Sequence, residues 1–261
     1  MRGARVLDLS TDRAGAYCAR LLATTGAEVF LAEPPGGHPL RRAAPILPDG
    51  RSATWEYLQA YKLAFDGAGK GNDGIDGAVG SFDLVVMSAE RDPDDARRRA
   101  ERWRAAHPAL VVVVVSPFGL TGPYAGYRAE PLQDWAVGGH LSLNGEPDRE
   151  PLPGGGPWIT YVHGATAAVG AQVALHRARR SGRGDLVDSG GMEASACAHQ
   201  WSFVIYTHQG VVKRRWGNRH GEAHHPLSLH PCRDGWVCIA SVARHQWEGL
   251  CLAMDLSLIH I

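Results

Sequence analysis

The chain has 261 residues, of which 44% are hydrophobic and 21% charged, and its 27 basic side chains balance 27 acidic ones. This length and composition indicate one or two globular domains. The zero net charge excludes the basic surface that is typical of nucleic-acid-binding proteins. Residues 158–175 are mostly apolar but include Thr, His and Gln, so they predict a buried helix and no membrane span. With no leader pattern at the N-terminus, we expect a cytoplasmic protein without nucleic-acid or membrane partners.

The N-terminal half predicts strands and helices in alternation. Apolar runs predict strands over 6–9, 28–32, 82–87 and 110–115, and helices are predicted over 14–23 and 94–106. Apolar strands without polar alternation indicate burial on both faces. We therefore expect an α/β fold in which helices cover a mostly parallel sheet.

The C-terminal half continues this pattern and then changes. Helices are predicted over 161–179 and 192–206, a short strand over 186–187, and two more strands over 226–230 and 236–240. The last two lie in a stretch rich in Pro, Gly, His and Trp. We expect a large α/β domain over 1–208 and the start of a small α+β domain over 209–255. The glycine-rich segment 67–80 predicts a flexible stretch.

The usual motifs of nucleotide-binding proteins and esterases are missing. A dinucleotide fingerprint needs three spaced glycines after the first strand, and the turn here contains only Gly15. Lys70 stands between two glycines but lacks the other residues of a phosphate-binding loop. Ser116 and Ser189 have no G-x-S-x-G context, so neither is a candidate nucleophile.

A metal site is also not predicted. The five cysteines are widely spaced and without a CxxC pair, which indicates reduced thiols. Candidate zinc donors near the C-terminus are His220, His224, His225, His230, Cys232, Cys238 and His245. No HExxH or CxxC nucleus occurs among them. We therefore expect solvated histidines, core cysteines and no metal.

Several segments carry a shared pattern in a fixed order. They are VLDLSTDRAGAYCARLLATTGAEVFLAEPPGG from residue 6, Tyr61-Lys62, SPFGLTGPYAG at 116–126, LNGEP at 143–147, SGRG at 181–184, and VD followed by MEA within 187–194. In combination they resemble the class III CoA-transferase family, which also contains the α-methylacyl-CoA racemases. The resemblance extends from residue 4 to residue 255 and rests on the ordered set.

The resemblance implies a Rossmann-like large domain that binds coenzyme A, a small domain, and a homodimer whose two full-length chains interlock as linked rings. Acyl-CoA and a small carboxylic acid would be the substrates, with no tightly bound cofactor. By position, Asp12, Arg13, Lys70 and Ser88 fall where relatives contact CoA, and Arg41 lies near the nucleotide. Arg41 and Lys70 would suit phosphate groups because both are cationic donors on loops.

The resemblance also implies a catalytic aspartate, which this chain lacks. In the transferases a carboxylate attacks the thioester and forms an acyl-enzyme anhydride. Its position, four residues before Gly164, is occupied by Thr160. A racemase needs a His and an Asp, and these positions are Glu130 and again Thr160. His163 could act as a base, and Glu130 or Asp134 could supply a relocated carboxylate.

Three functions remain open at this point. The first is a CoA-transferase-like protein that binds acyl-CoA and moves CoA between carboxylic acids, with Thr160 replacing the aspartate. The second is a non-catalytic CoA-binding half or subunit of a tandem CoA-transferase. The third is a racemase-like isomerase.

The C-terminal residues 256–261 read LSLIHI. This hexapeptide is similar to the translation of an adapter used in sequencing-library preparation. We expect the natural sequence to be interrupted after Asp255, and the chain to be an N-terminal fragment of a longer protein.

Overall fold

The computed structural model describes residues 1–67, 71–89, 92–218 and 226–257. They form two compact units. The first comprises Met1–Gly139 and Gly155–Gln200, and the second comprises His140–Gly154 and the described residues from Trp201 onward. The domain limits inferred from the sequence, at residues 208 and 255, stay predictions.

The first unit is built on a parallel sheet. Its strands are β1 (Arg5–Leu9), β2 (Glu28–Leu31), β3 (Lys62–Ala64), β4 (Leu84–Ser88), β5 (Val111–Ser116) and β6 (Leu186–Gly190). They pair in the order β3-β2-β1-β4-β5-β6, and every pairing is parallel. Because β5 is buried along its whole length, the predicted α/β fold with a doubly covered sheet is confirmed.

Helices cover both faces of this sheet. The helices of the first unit are α1 (Arg13–Thr24), α2 (Ala53–Gln59), α3 (Gly71–Ala78), α4 (Pro93–Ala106), α5 (Pro131–Val137), α6 (Trp158–Ser181) and α7 (Gly191–Cys197). A further helix, α8 (Gln200–Gln209), belongs to the second unit from its second residue onward. Alternate residues of β4 and β5 enter two separate cores: one is shared with α1 and α6, the other with α4. Both faces of the strands can be buried in this way because successive side chains of a strand point to opposite faces of the sheet.

Helices α1 and α6 pack closely because their facing residues are small. A Cβ atom at Gly164 would lie 2.5 Å from the carbonyl oxygen of Ala14. Helix α1 follows a strand of the parallel sheet, whereas α6 precedes one, and this contact joins the first turn of α1 to the second turn of α6. Both helices therefore begin at the carboxyl edge of the sheet.

Two predictions about local structure were wrong. Residues 71–78, predicted to be flexible, form α3, while residues 68–70 lie outside the described part of the chain. The single helix expected over 192–206 is divided into α7 and α8, because the amides of Ala198 and His199 bond three residues back, to the carbonyls of Ser195 and Ala196. Small and weakly periodic residues provided little signal at both places.

The second unit contains a hairpin and a helix. Strands β7 (Ser228–Cys232) and β8 (Gly235–Ile239) pair antiparallel, and α9 spans Arg244–Ala253. The two strands lie within two residues of their predicted positions. Among the described helices, none is both long and apolar enough to cross a bilayer.

Candidate functional site

In the sheet, β1 lies next to β4; β2 follows on the other side of β1, and β5 on the other side of β4. The chain therefore extends the sheet in opposite directions from the boundary between β1 and β4. In open parallel sheets the crevice at such a switch point, beyond the carboxyl ends of the strands, is where ligands bind. Residues 10–12 follow β1 at this point, and Ser88 ends β4. The predicted site residues Asp12, Arg13 and Ser88 therefore meet at one edge.

Asp12 and Ser88 are bonded to each other and to the backbone. The Asp12 carboxylate accepts a hydrogen bond from the amide of Gly15 (2.8 Å) and caps α1. The Ser88 hydroxyl donates to the other carboxylate oxygen and accepts from the amide of Thr11 (2.9 Å). A carboxylate thus occupies the helix N-terminus at which a phosphate could otherwise bind.

Gly15 has a steric reason to be glycine. A Cβ atom there would lie 2.5 Å from the Cβ atom of Ser10. The turn from β1 into α1 closes tightly at this residue, which brings Asp12 within reach of Ser88.

Arg41 already has an acidic partner. Its guanidinium donates to both carboxylate oxygens of Glu33, at 2.5 and 2.8 Å, and lies 4.0 Å from the ring centroid of Trp55. Its hydrogen bond holds the pKa of Glu33 well down, at about 2. An incoming phosphate would compete with Glu33 for this side chain. Lys70, the other predicted phosphate ligand, lies outside the described residues.

A buried ion pair beneath the edge was missed. The Lys62 ammonium lies 2.7 Å from the Asp8 carboxylate and donates to the carbonyl of Ala16 at 2.9 Å. Both side chains are buried, with 1% and 0% exposed. Ser10 donates its amide and hydroxyl to the other Asp8 oxygen, at 3.0 and 2.6 Å. An aspartate inside the apolar strand VLDL was the signal that such a partner existed.

His38 extends this network to the loop that carries Arg41. One ring nitrogen lies 2.9 Å from the carbonyl of Ser10, and the other accepts the amide of Leu40 at 3.1 Å. Bonding on both sides requires the neutral ring, and burial lowers the pKa of His38.

Thr160 lies in the first turn of α6 and is partly buried. The next residue, Tyr161, packs edge-on against Tyr17, with ring centroids 4.9 Å apart, and lies 6.3 Å from the ring of Tyr57. Its neighbours on this side are thus aromatic rings from α1 and α2. Thr160 itself presents a hydroxyl and no carboxylate.

His163 is buried and hydrogen-bonded to the backbone of the fold. The side chain is 7% exposed, and Nε2 lies 2.9 Å from the carbonyl of Ser189 on β6. Burial lowers the pKa of His163, so the neutral ring donates its proton to that carbonyl. These contacts are those of a structural histidine.

Two carboxyl groups lie at the start of α5, and one of them, Asp134, is close to Asp12. Glu130 precedes the helix, and its amide donates to the side chain of Gln133 at 3.0 Å. Burial, followed by the charges of Asp12 and Glu130, raises the pKa of Asp134 to about 6. Asp134 is thus the group at this edge whose charge changes just below neutral pH.

A pocket of about 470 Å³ lies beside the ends of β4 and β5. It is lined by Asp92, Pro93, Asp94, Arg97, Leu120, Thr121, Gly122, Ala125 and Gly126. Arg97 lies 3.3 Å from Glu101 on the same helix. Two carboxylates and a paired arginine do not make a phosphate site.

No three potential metal-ligating side chains come together in the part of the chain that the structure describes. His220, His224 and His225 lie outside that part. The expectation of no metal stays a prediction.

Similar proteins agree with this architecture. The chain is 32% identical to the succinyl-CoA–D-citramalate CoA-transferase of Chloroflexus aurantiacus over 96% of its own length and 63% of that protein. It is 32% identical to a subunit of the succinyl-CoA:(R)-benzylsuccinate CoA-transferase of Thauera aromatica, with 91% and 59% covered. It thus spans less than two thirds of these relatives.

Among solved structures, a CAIB/BAIF family protein from Brucella suis superposes with a TM-score of 0.78 at 24% identity, covering 98% of this chain and 69% of that one. Residues 1–259 match CoA-transferase family III. The chain therefore belongs to CoA-transferase family III.

Proposed function

We propose that this chain binds an acyl-CoA thioester at the carboxyl edge of its parallel sheet, as part of a protein that moves CoA between carboxylic acids. The switch point between β1 and β4 supports the location. The names of the relatives support the chemistry, since these proteins transfer CoA from succinyl-CoA to other acids. CoA would be a substrate here, with no tightly bound cofactor.

The phosphate groups of CoA would bind the loops at the carboxyl edge of the sheet. Arg41 supplies an exposed guanidinium once it exchanges Glu33 for a phosphate, and Lys70 would add a second cation. Asp12 and Ser88 act by shaping the turn after β1, because their polar atoms are bonded to the protein. Arg13 lies close enough to the first turn of α6 for its charge to oppose the rise that burial causes in the pKa of Tyr161.

The proposal about the chemistry rests on the threonine at position 160. An acyl-enzyme anhydride requires a carboxylate, whereas a threonine hydroxyl without a base is a weak nucleophile and would form a stable ester. His163 supplies no such base in this arrangement: its ring is buried and donates through Nε2 to the carbonyl of Ser189, and among the described residues no hydrogen bond joins it to Thr160. The chain by itself therefore forms no anhydride at this position.

The same observation favours a second candidate function. Several relatives are named as subunits of CoA-transferases. A chain without the nucleophile would bind CoA and support a partner domain or chain that carries it. An interlocked dimer of full-length chains would bring the two together.

Transfer assays separate the two candidates. We expect CoA to raise the melting temperature of the chain, since a ligand that binds only the folded state stabilises it. We also expect no transfer from succinyl-CoA to free carboxylic acids by this chain alone. Absence of a shift at millimolar CoA would contradict the binding proposal, and robust transfer would contradict the supporting role.

A further inference from the structure

Arg13 is a partly buried cation that has no acidic partner among the described residues. Its Nε atom is inaccessible to solvent and has no hydrogen bond. Within the described residues no carboxylate pairs with its guanidinium. Other partly buried arginines have one: Arg99 lies 3.7 Å from Asp76, and Arg104 lies 3.9 Å from Asp185.

The adjacent carboxylate does not neutralise Arg13. Both oxygens of Asp12 are engaged, one by the amide of Gly15 and the other by the hydroxyl of Ser88. Arg13 is also the first residue of α1, where the helix dipole disfavours a positive charge. A buried donor left unbonded and a cation left unpaired both destabilise a fold. The fold alone gives no reason for this arginine.

The position of Arg13 connects it to the site of the family's chemistry. The close contact between Ala14 and Gly164 packs the first turn of α1 against the N-terminal part of α6. Burial raises the pKa of Tyr161, and the nearby charge of Arg13 opposes that rise. Tyr161 directly follows Thr160. The unpaired guanidinium thus lies next to the position that an acyl group would occupy.

We propose that Arg13 binds the carboxylate of the acid substrate, held between the first turns of α1 and α6. A guanidinium suits this ligand because it can donate two parallel hydrogen bonds to a carboxylate. The inference rests on the proposed function and adds to it the residue that would hold the carboxylate of a small acid, or of an acyl group with a free carboxylate.

Succinate and its uncharged analogue succinamide test this assignment on the full chain. We expect succinate, but not succinamide, to raise the melting temperature. Arg13→Gln should weaken succinate binding measured by calorimetry about tenfold or more, and Arg13→Lys should restore part of it. Arg42→Gln removes an equal charge from an exposed residue of the same unit and should bind succinate like the wild type.

The stability of the ligand-free variant is a second readout. Loss of an unpaired cation at a helix N-terminus should leave Arg13→Gln at least as stable as the wild type, so lost binding cannot be blamed on misfolding. Equal succinate affinity in Arg13→Gln and wild type would overturn the inference. So would an Arg13-dependent shift with CoA and none with succinate, because Arg13 would then bind a phosphate. If succinate stabilises the wild type but not Arg13→Gln, and CoA stabilises neither, the proposed CoA binding is contradicted while the role of Arg13 is supported.

Discussion

The buried pair of Lys62 and Asp8 offers the sharpest test of how the first unit is held together. The ammonium bonds to the carboxylate at 2.7 Å and to the carbonyl of Ala16 at 2.9 Å, which ties β3 to β1 and to α1. Lys62→Met keeps most of the side-chain volume and removes the charge. The Asp8 carboxylate is then buried with only the two hydrogen bonds from Ser10.

The expected loss is large because neither group reaches solvent. Removing one partner of a buried ion pair costs about 3–5 kcal/mol, against a total free energy of unfolding of about 5–15 kcal/mol. Asp8→Asn should also destabilise the fold, since it leaves the ammonium buried. The double variant removes both charges and should be more stable than the sum of the two single losses predicts.

Urea unfolding, followed by far-UV circular dichroism, measures these losses. Arg51→Met is the matched control, because Arg51 pairs with Asp49 at 2.8 Å while both side chains are more than half exposed. We expect no resolvable change there. A loss below about 1 kcal/mol for Lys62→Met, or strict additivity in the double variant, would refute the pairing.

Three further changes have defined outcomes. Gly164→Ala should lower the free energy of unfolding by about 1–3 kcal/mol, because its Cβ would lie 2.5 Å from the Ala14 carbonyl; an unchanged urea midpoint would contradict this packing. Asp134→Asn should raise the urea midpoint above pH 6, because the ionised Asp134 carboxylate destabilises the fold there. The pKa of this group is about 6 in the fold and about 3.9 in the unfolded chain. The gain should vanish below about pH 4. Burial lowers the pKa of His38, so its contribution to the free energy of unfolding is full above about pH 6.5 and is lost as pH falls. His38→Gln should make the free energy of unfolding fall less steeply between pH 7 and pH 5. An unchanged pH dependence would argue against the neutral buried ring.

The central strands were predictable because their signal is local. Residues 111–116 are valines followed by a serine, and such a run has few solutions other than a buried strand. Helix α6 ends as the SGRG sequence suggests, since Gly182 adopts a left-handed φ of 68°. Strand β3 has three residues at the sheet edge, which is too few for a period to be recognised.

The chemistry of the site depends on contacts between residues that are distant in the chain. Lys62 and Asp8 are 54 residues apart in sequence, and Arg13 meets the neighbourhood of Tyr161 only through the packing of α1 on α6. The family pattern could indicate that position 160 matters. It could not indicate that Arg41 is held by Glu33 or that Arg13 has no acidic partner among the described residues. Those facts follow from how the side chains fill space around the folded edge.

Whether Thr160 can carry an acyl group is measured by the mass of the intact protein after incubation with succinyl-CoA. We expect the wild-type chain to keep its unmodified mass, because Thr160 forms neither an anhydride nor a CoA thioester. Thr160→Asp restores the carboxylate and should acquire a hydroxylamine-sensitive adduct if the pocket is otherwise intact. A stable succinyl or CoA adduct located at Thr160 of the wild-type protein would contradict the account.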